Sequence, residues 1–307
     1  MNKDIKVLTI DGGGSKGIYS LGILAELEAK LGGSLSKYFD LFYGCSTGAV
    51  IAAALSLGKP VDYIKKMYYE KLPWIMNGWS SGQRTKRLRQ MLNDEFGNHS
   101  IDNIKKPLCI VATSMNEKKV KIFKSHKIMA HGLENSFNPF FGVPFVDALM
   151  ASCSAVPLFK KTDIVTPEES SYVLIDGGFS SSNPSLFAII DAKKFKRENE
   201  KVKILNIGTG SFPEAKNLRI MISGISHYAS AKLLTTMIDV GANTVGWIAE
   251  NLSADVAYLR ISKNYSDNNL KTSILENNAE MFKILHQLGR DTFGEFEKSI
   301  QEFLDSR

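Results

Sequence analysis

Residues 39–57 read FDLFYGCSTGAVIAAALSL, and the fold turns on how this stretch is parsed. Phe39–Tyr43 is short and apolar, which predicts a buried strand. Gly44-Cys45-Ser46-Thr47-Gly48 follows as a tight turn with glycine at both ends. Thr47–Leu57 is almost wholly apolar, so it predicts a helix buried on every side. Strand, turn and helix are the context in which G-x-S-x-G projects its serine hydroxyl from a sharp corner. The helix N-terminus directs positive partial charge at the same spot, which helps a serine oxygen on which negative charge develops. The five residues alone also suit a plain structural turn.

Upstream, the pattern repeats. Ile5–Ile10 (IKVLTI) predicts a buried strand, and Ile18, Leu21, Leu24, Leu27 and Leu31 form the apolar stripe of a helix over Gly17–Leu31. Between them lies Asp11-Gly12-Gly13-Gly14-Ser15-Lys16-Gly17. Three glycines leave backbone N–H groups uncovered, a turn suited to a phosphate or an oxyanion. The spacing is neither the dinucleotide fingerprint nor the Walker loop. A phosphate loop of an actin-like sugar kinase is an alternative, but a hairpin strand would follow it, and here a helical stripe does.

Downstream, Tyr172–Ile175 predicts a strand, and Asp176-Gly177-Gly178 follows it. A carboxylate at a strand end is placed to serve as a base. Serine attack on an acyl carbon needs a nucleophile, a base and oxyanion donors. Histidine is the usual base, but none of His99, His126, His131, His227 and His286 sits in a motif that marks one, and Ser46 lies early in the chain for an ordinary α/β-hydrolase. A Ser46–Asp176 dyad fits better. Cys45, next to the serine, reads as a small buried elbow residue.

Further strands are predicted at Leu108–Thr113, Val120–Lys124, Lys203–Ile207 and Ala257–Ile261. Helices are predicted at Val61–Tyr69, Thr85–Glu95, Pro144–Cys153, Leu186–Lys194, Ser226–Ala249 and Glu276–Leu304. The alternation implies an α/β three-layer sandwich with a mainly parallel central sheet, and no composition break divides residues 1–307. Three cysteines among 307 residues exclude a disulfide framework. With no signal-peptide pattern and no apolar run near the ~18 residues of a membrane span, the expected location is the cytoplasm.

The net charge of +6 is uneven: residues 51–150 alone carry an excess of +7, densest at Arg84, Lys86, Arg87 and Arg89. Such a patch suits a phosphate-bearing ligand or an anionic surface, or is a solvated helix face. Phe137, Phe140, Phe141 and Phe145, and separately Trp74, Met76 and Trp79, either pack on the core or rim a lipid cleft.

Taken together and in order, the motifs resemble those of patatin-like phospholipases. D-G-G-G-x-R-G is matched at Asp11–Gly17, with Lys16 where the family has arginine. G-x-S-x-G is matched at Gly44–Gly48, and the family's A-S-x-A-x-P resembles Ala151–Pro157 (ASCSAVP) with one residue's difference in spacing. D-G-G is matched at Asp176–Gly178 and G-T-G at Gly208–Gly210. The resemblance implies lipid acyl hydrolysis without metal or cofactor, Ser46 as nucleophile and Asp176 as base. The oxyanion hole would be built from the backbone around Gly12, Gly13, Gly14 and Thr47. Phospholipid at the inner membrane surface would be the substrate, with Lys16 and the Arg84–Arg89 run as contacts for a headgroup or an activator. A catalytically silent binding or sensor protein of the same fold is the rival reading.

The stretch from DGGGSKG through GCSTGA to Tyr68–Pro73 (YYEKLP) is similar to bacterial patatin-like effectors of cyclic-oligonucleotide anti-phage defence. That similarity implies a cyclic dinucleotide activator, no nucleic-acid polymer as partner, and compatibility with an oligomer.

Overall fold

The computed structural model describes residues 4–97, 99–101, 104, 106–126, 142–166, 170–197, 200–215, 225–252 and 256–305. Among these residues, eight strands form one sheet: β1 (Ile5–Ile10), β2 (Leu41–Cys45), β3 (Leu108–Ser114), β4 (Lys119–Lys124), β5 (Thr162–Val165), β6 (Ser171–Asp176), β7 (Val202–Ile207) and β8 (Val256–Ile261). Their order is β5-β6-β3-β2-β1-β7-β8, with β4 also paired to β3. β3, β2, β1, β7 and β8 run parallel, whereas β4, β5 and β6 join antiparallel. Parallel strands need crossovers, and the crossovers lay helices on both faces. They are α1 (Gly17–Lys30), α2 (Leu35–Tyr38), α3 (Thr47–Ser56), α4 (Val61–Met76), α5 (Ser81–Phe96), α6 (Phe145–Ser152), α7 (Gly178–Ser181), α8 (Ser185–Phe195), α9 (Ile225–Leu252), α10 (Ala279–Glu295) and α11 (Glu297–Asp305).

The strand alternation explains the two cores. On β1, Leu8 and Ile10 join the large cluster formed with α1, α3, α4, α5 and α10, while Val7 points to the opposite face. There it meets Tyr43, Ile204 and the α8 residues Ala188, Ile189 and Ala192. A sheet covered on both faces buries successive positions of a strand, as β2 and β7 show along their whole length. Every residue of α3 is buried, as its composition requires.

One feature of the sheet positions the site. β2 and β6 share the same edge of β3, running toward each other. β2 ends with Cys45 opposite Val111, and β6 ends with Asp176 opposite Ala112. Two segments far apart in the chain are thereby brought end to end at consecutive positions of β3.

The expected three-layer architecture is present. The edge strand β5 was not anticipated, because TDIV is only four residues long. α4 runs on to Met76 with Pro73 inside it, past the predicted end at Tyr69. The C-terminal helix predicted from Glu276 to Leu304 is two helices that meet at Phe296.

Candidate active site

Ser46 sits between β2 and α3 at φ 52° and ψ −123°, a conformation that costs a non-glycine residue on the order of 1–3 kcal/mol. The flanking glycines make the corner possible by closeness of packing. A Cβ on Gly48 would lie 2.2 Å from the Ile10 carbonyl oxygen, and one on Gly44 would lie 2.4 Å from that of Gly48. The turn is therefore pressed against the end of β1, where the Asp11–Gly14 turn begins.

The Ser46 hydroxyl donates to Asp176 Oδ2 at 2.6 Å. The other carboxylate oxygen, Oδ1, accepts from Gly178 N at 2.7 Å. Asp176 is buried, and burial pushes its carboxyl up to about 6, against the opposing pull of the Ser46 hydroxyl and the Gly178 amide. A carboxylate so raised is a stronger base than an exposed one and still ionises near neutrality. Burial, then the charge of Asp176, also push the Cys45 thiol well above its ordinary value. Cys45 is thus a neutral, packed thiol. No histidine lines the cavity among the described residues.

Ser46, Thr47, Gly13, Gly14 and Asp176 line one cavity whose remaining wall is largely apolar, with Val50, Met67, Leu72, Met91, Phe159 and Ile238 among its residues. Such a wall accepts a hydrocarbon chain, and the polar groups gather at one end of it. Thr47 is fixed by Tyr68: the two hydroxyls are 2.8 Å apart, and the Tyr68 hydroxyl donates to the Thr47 carbonyl at 2.9 Å.

Several expected residues have other occupations. The Gly12 amide donates to the Ser182 carbonyl at 2.9 Å, so it is not a free oxyanion donor, unlike its position in the motif implied. Lys16 is 2% exposed, and its ammonium pairs with Asp239 Oδ1 at 2.7 Å. It braces the turn against α9 and does not reach a headgroup. Arg84 donates to the carbonyls of Leu158 and Gly78, at 2.8 and 2.6 Å. Arg87 donates to the Trp74 carbonyl and lies over its ring, and Arg89 pairs with Asp147 at 2.6 Å. The basic run thus tethers α5 to the cavity wall, and Lys86 is its exposed member. Met76 is buried and lines the cavity, while Trp79 is 86% exposed. Phe145 is buried in the core; Phe137, Phe140 and Phe141 lie outside the described residues.

Sequence reasoning missed the residues that hold the site in register. The Ser152 hydroxyl accepts from Ser46 N at 2.8 Å and donates to the Val111 carbonyl at 2.6 Å. The next turn accepts from the other catalytic strand end, with Asp176 N donating to the Ser154 carbonyl at 3.0 Å. ASCSA therefore clamps both halves. Asp11 accepts from Arg260 at 2.6 Å and from Asn206 Nδ2 at 2.8 Å beneath the glycine turn. The signal for Arg260 was present as a single charge in the apolar strand VAYLRI.

The family model described as "Patatin-like phospholipase" matches residues 8–189. A "cUMP-AMP-activated phospholipase" of Escherichia coli is 37% identical over 300 residues, covering 97% of this chain and 93% of that protein. A "cGAMP-activated phospholipase" of Pseudomonas aeruginosa (strain BWHPSA011 / Pa011) is 26% identical over 216 residues, covering 66% of this chain and 62% of that protein. Among solved structures, human GIVD cytosolic phospholipase A2 aligns at a TM-score of 0.51 and 11% identity, covering 98% of this chain and 58% of that one, a likeness of fold alone. The matched span begins in β1 and takes in both glycine turns, Ser46 and Asp176, and by that match the chain belongs to the patatin-like phospholipase family.

Proposed function

We propose that the protein is a phospholipase of the acyl-hydrolase type that works through a Ser46–Asp176 dyad and is switched on by a cyclic dinucleotide. The observation that carries the first part is the 2.6 Å hydrogen bond from Ser46 to a buried carboxylate at one end of an apolar cavity. Asp176 takes the Ser46 proton as the serine oxygen attacks the acyl carbonyl carbon. The carbonyl oxygen becomes negative and lies against the amides of Gly13, Gly14 and Thr47, donors of a kind whose individual loss costs roughly 10²–10³ in rate. Collapse breaks the ester bond, and the leaving lysophospholipid oxygen takes the proton back from Asp176. Asp176 then draws a proton from water, which attacks the acyl-serine; the fatty acid departs and the proton returns to Ser46.

The regulatory part rests on the printed names of relatives, above all the E. coli protein that this chain matches nearly end to end. An activator of that kind would make the enzyme an effector that degrades membrane phospholipid in antiviral defence, acting from the cytoplasmic side of the inner membrane. No helix among the described residues is long and apolar enough to cross a membrane. Lipid hydrolysis profiled by mass spectrometry, with and without a panel of cyclic dinucleotides, tests both parts. Release of fatty acid only with one dinucleotide is the expected result. Full activity without any would remove the switch, and no hydrolysis with any, together with no labelling by a fluorophosphonate serine probe, would favour a silent binding protein.

A further inference from the structure

Among the described residues, α9 presents an unpartnered face. Leu233, Met237, Val240 and Trp247 are 61%, 49%, 59% and 66% exposed, and Thr244 and Asn251 between and beyond them are exposed too. The spacing of these six positions is 4, 3, 4, 3, 4. That is the seam on which a second helix packs with a repeat of 3.5 residues. The opposite face of α9 is spent inside the molecule: Leu234, Ile238, Ala242 and Ala249 are buried, and Asp239 holds Lys16.

Charge selects the occupant. From residue 232 to residue 250 the helix carries three charged side chains, Lys232, Asp239 and Glu250. Asp239 is engaged by Lys16, and the other two are exposed on the same flank of the seam. They stand nine residues either side of Gly241, at which an added Cβ would meet nothing within 4 Å. A stripe with opposite charges at its two ends and open space at its centre is self-complementary when turned end for end. A two-fold axis near Gly241 brings Lys232 of each copy to Glu250 of the other across about 27 Å of helix. The six apolar and polar seam positions are themselves symmetric about residue 242, one residue further on, and an axis there sets Met237 against Trp247. A parallel pairing would carry this flank to the opposite side of the seam in the partner and bring no lysine to a glutamate. A lipid surface suits the face less well. Helices that lie in a bilayer interface flank their apolar stripe with several basic residues, whereas this one has a single lysine, a glutamate, and threonine and asparagine in the stripe itself.

We infer that α9 is the isologous interface of a homodimer in which the helices pair antiparallel through Leu233, Met237, Val240, Thr244, Trp247 and Asn251. Ile238 lines the catalytic cavity from the inner side of the same helix, so the interface buttresses the site without entering it.

Sedimentation velocity on the full chain across 0.1–100 µM, an order-of-magnitude range set around typical protein–protein affinities, tests this. Wild type is expected to dimerise, and Met237→Glu to be a monomer with an unchanged far-UV circular dichroism spectrum and a melting temperature that, unlike the wild type's, does not depend on concentration. Lys232→Glu and Glu250→Lys are each expected to weaken dimerisation tenfold or more, and the double reversal to restore it. A wild-type protein monomeric throughout overturns the inference, as does a dimer indifferent to Met237→Glu and Trp247→Glu. Failure of the double reversal to rescue overturns the antiparallel register. Flotation of a monomeric wild type with phosphatidylethanolamine/phosphatidylglycerol vesicles, lost in Met237→Glu, would assign the face to lipid instead.

Discussion

Asp11 and Arg260 form a buried ion pair at 2.6 Å, directly under the turn that carries Gly13 and Gly14. Burial raises the Asp11 carboxyl, and Arg260 and Asn206 pull it back. Arg260→Met would leave Asp11 charged and enclosed, a change that costs about 3–5 kcal/mol in buried pairs. An Asp with a raised folded-state value loses stability as pH rises from its unfolded value. The deficit of Arg260→Met should therefore be greater at pH 7.5 than at pH 4.5. Urea unfolding at the two pH values reads it, and Asp11→Asn combined with Arg260→Met should recover part of the loss.

Ser46→Ala and Asp176→Asn should each abolish hydrolysis in a folded protein. Losing a positioned base typically costs about 10²–10⁴ in rate, and losing the nucleophile costs at least as much. Steady-state kinetics on a chromogenic ester, with melting curves alongside, give the comparison. Retention of wild-type turnover in Asp176→Asn would end the dyad reading.

The pH dependence follows from the carboxyl pushed up to about 6. Hydrolysis needs the ionised form in the free enzyme, so kcat/KM should rise tenfold per pH unit below about 6 and level off above it. Stability runs the other way. The folded-state value lies above that of an ordinary aspartate, so the contribution of this group to stability is lost as pH rises through about 6. At pH 8, Asp176→Asn should therefore be more stable than wild type, by on the order of 3 kcal/mol. A flat pH–rate profile between pH 5 and 7 would exclude Asp176 as the base.

The elbow and the glycine turn were legible because their chemistry is local: two glycines that nothing larger can replace, one hydroxyl, and a helix start. The meeting of Ser46 with Asp176 was expected from the order of motifs but not from geometry. It depends on β2 and β6 sharing one edge of β3, a long-range pairing that no short window records. Arg84, Arg87 and Arg89 illustrate the opposite error. Their clustering suggested a phosphate site, yet arginine near a packed wall also satisfies carbonyls and acids, and here all three do. The helix expected to end at Tyr69 runs on to Met76 through Pro73. Proline usually ends a helix before it, but the amphipathic face of α4 continues through Leu72, Ile75 and Met76, and that burial carries the helix past it.

Ser152 offers a test of the clamp. Its hydroxyl is the acceptor for the Ser46 amide and a donor to Val111, and it is fully buried. Ser152→Ala leaves one buried N–H and one buried carbonyl without that partner, at about 1–3 kcal/mol per unsatisfied group. Because the lost bond sets the angle of the elbow and not the apolar wall, kcat should fall at least tenfold with KM little changed. Ser152→Thr, which keeps the hydroxyl, should recover much of the rate if the added methyl is accommodated. Equal losses in the alanine and threonine variants would point to packing at residue 152 instead of the hydrogen bond.

The pair Lys16–Asp239 makes a prediction through its asymmetry. Lys16 is 2% exposed and Asp239 21%. Removing the lysine leaves a carboxylate that water can reach, whereas removing the aspartate leaves an enclosed ammonium whose further hydrogen-bond acceptor among the described residues is the Gly210 carbonyl at 3.5 Å, with the Glu214 carboxylate acting on it by charge alone. Asp239→Ala should therefore destabilise more than Lys16→Met. The aspartate change approaches the roughly 3–5 kcal/mol of a broken buried pair, and the lysine change about 1–2 kcal/mol. Both loosen the glycine turn, so both should lower kcat. Equal destabilisation in denaturant titrations would mean that the enclosure of Lys16 does not decide the energetics. Larger damage from Lys16→Met would mean that its aliphatic stem and charge brace the oxyanion turn more than Asp239 holds the charge in place.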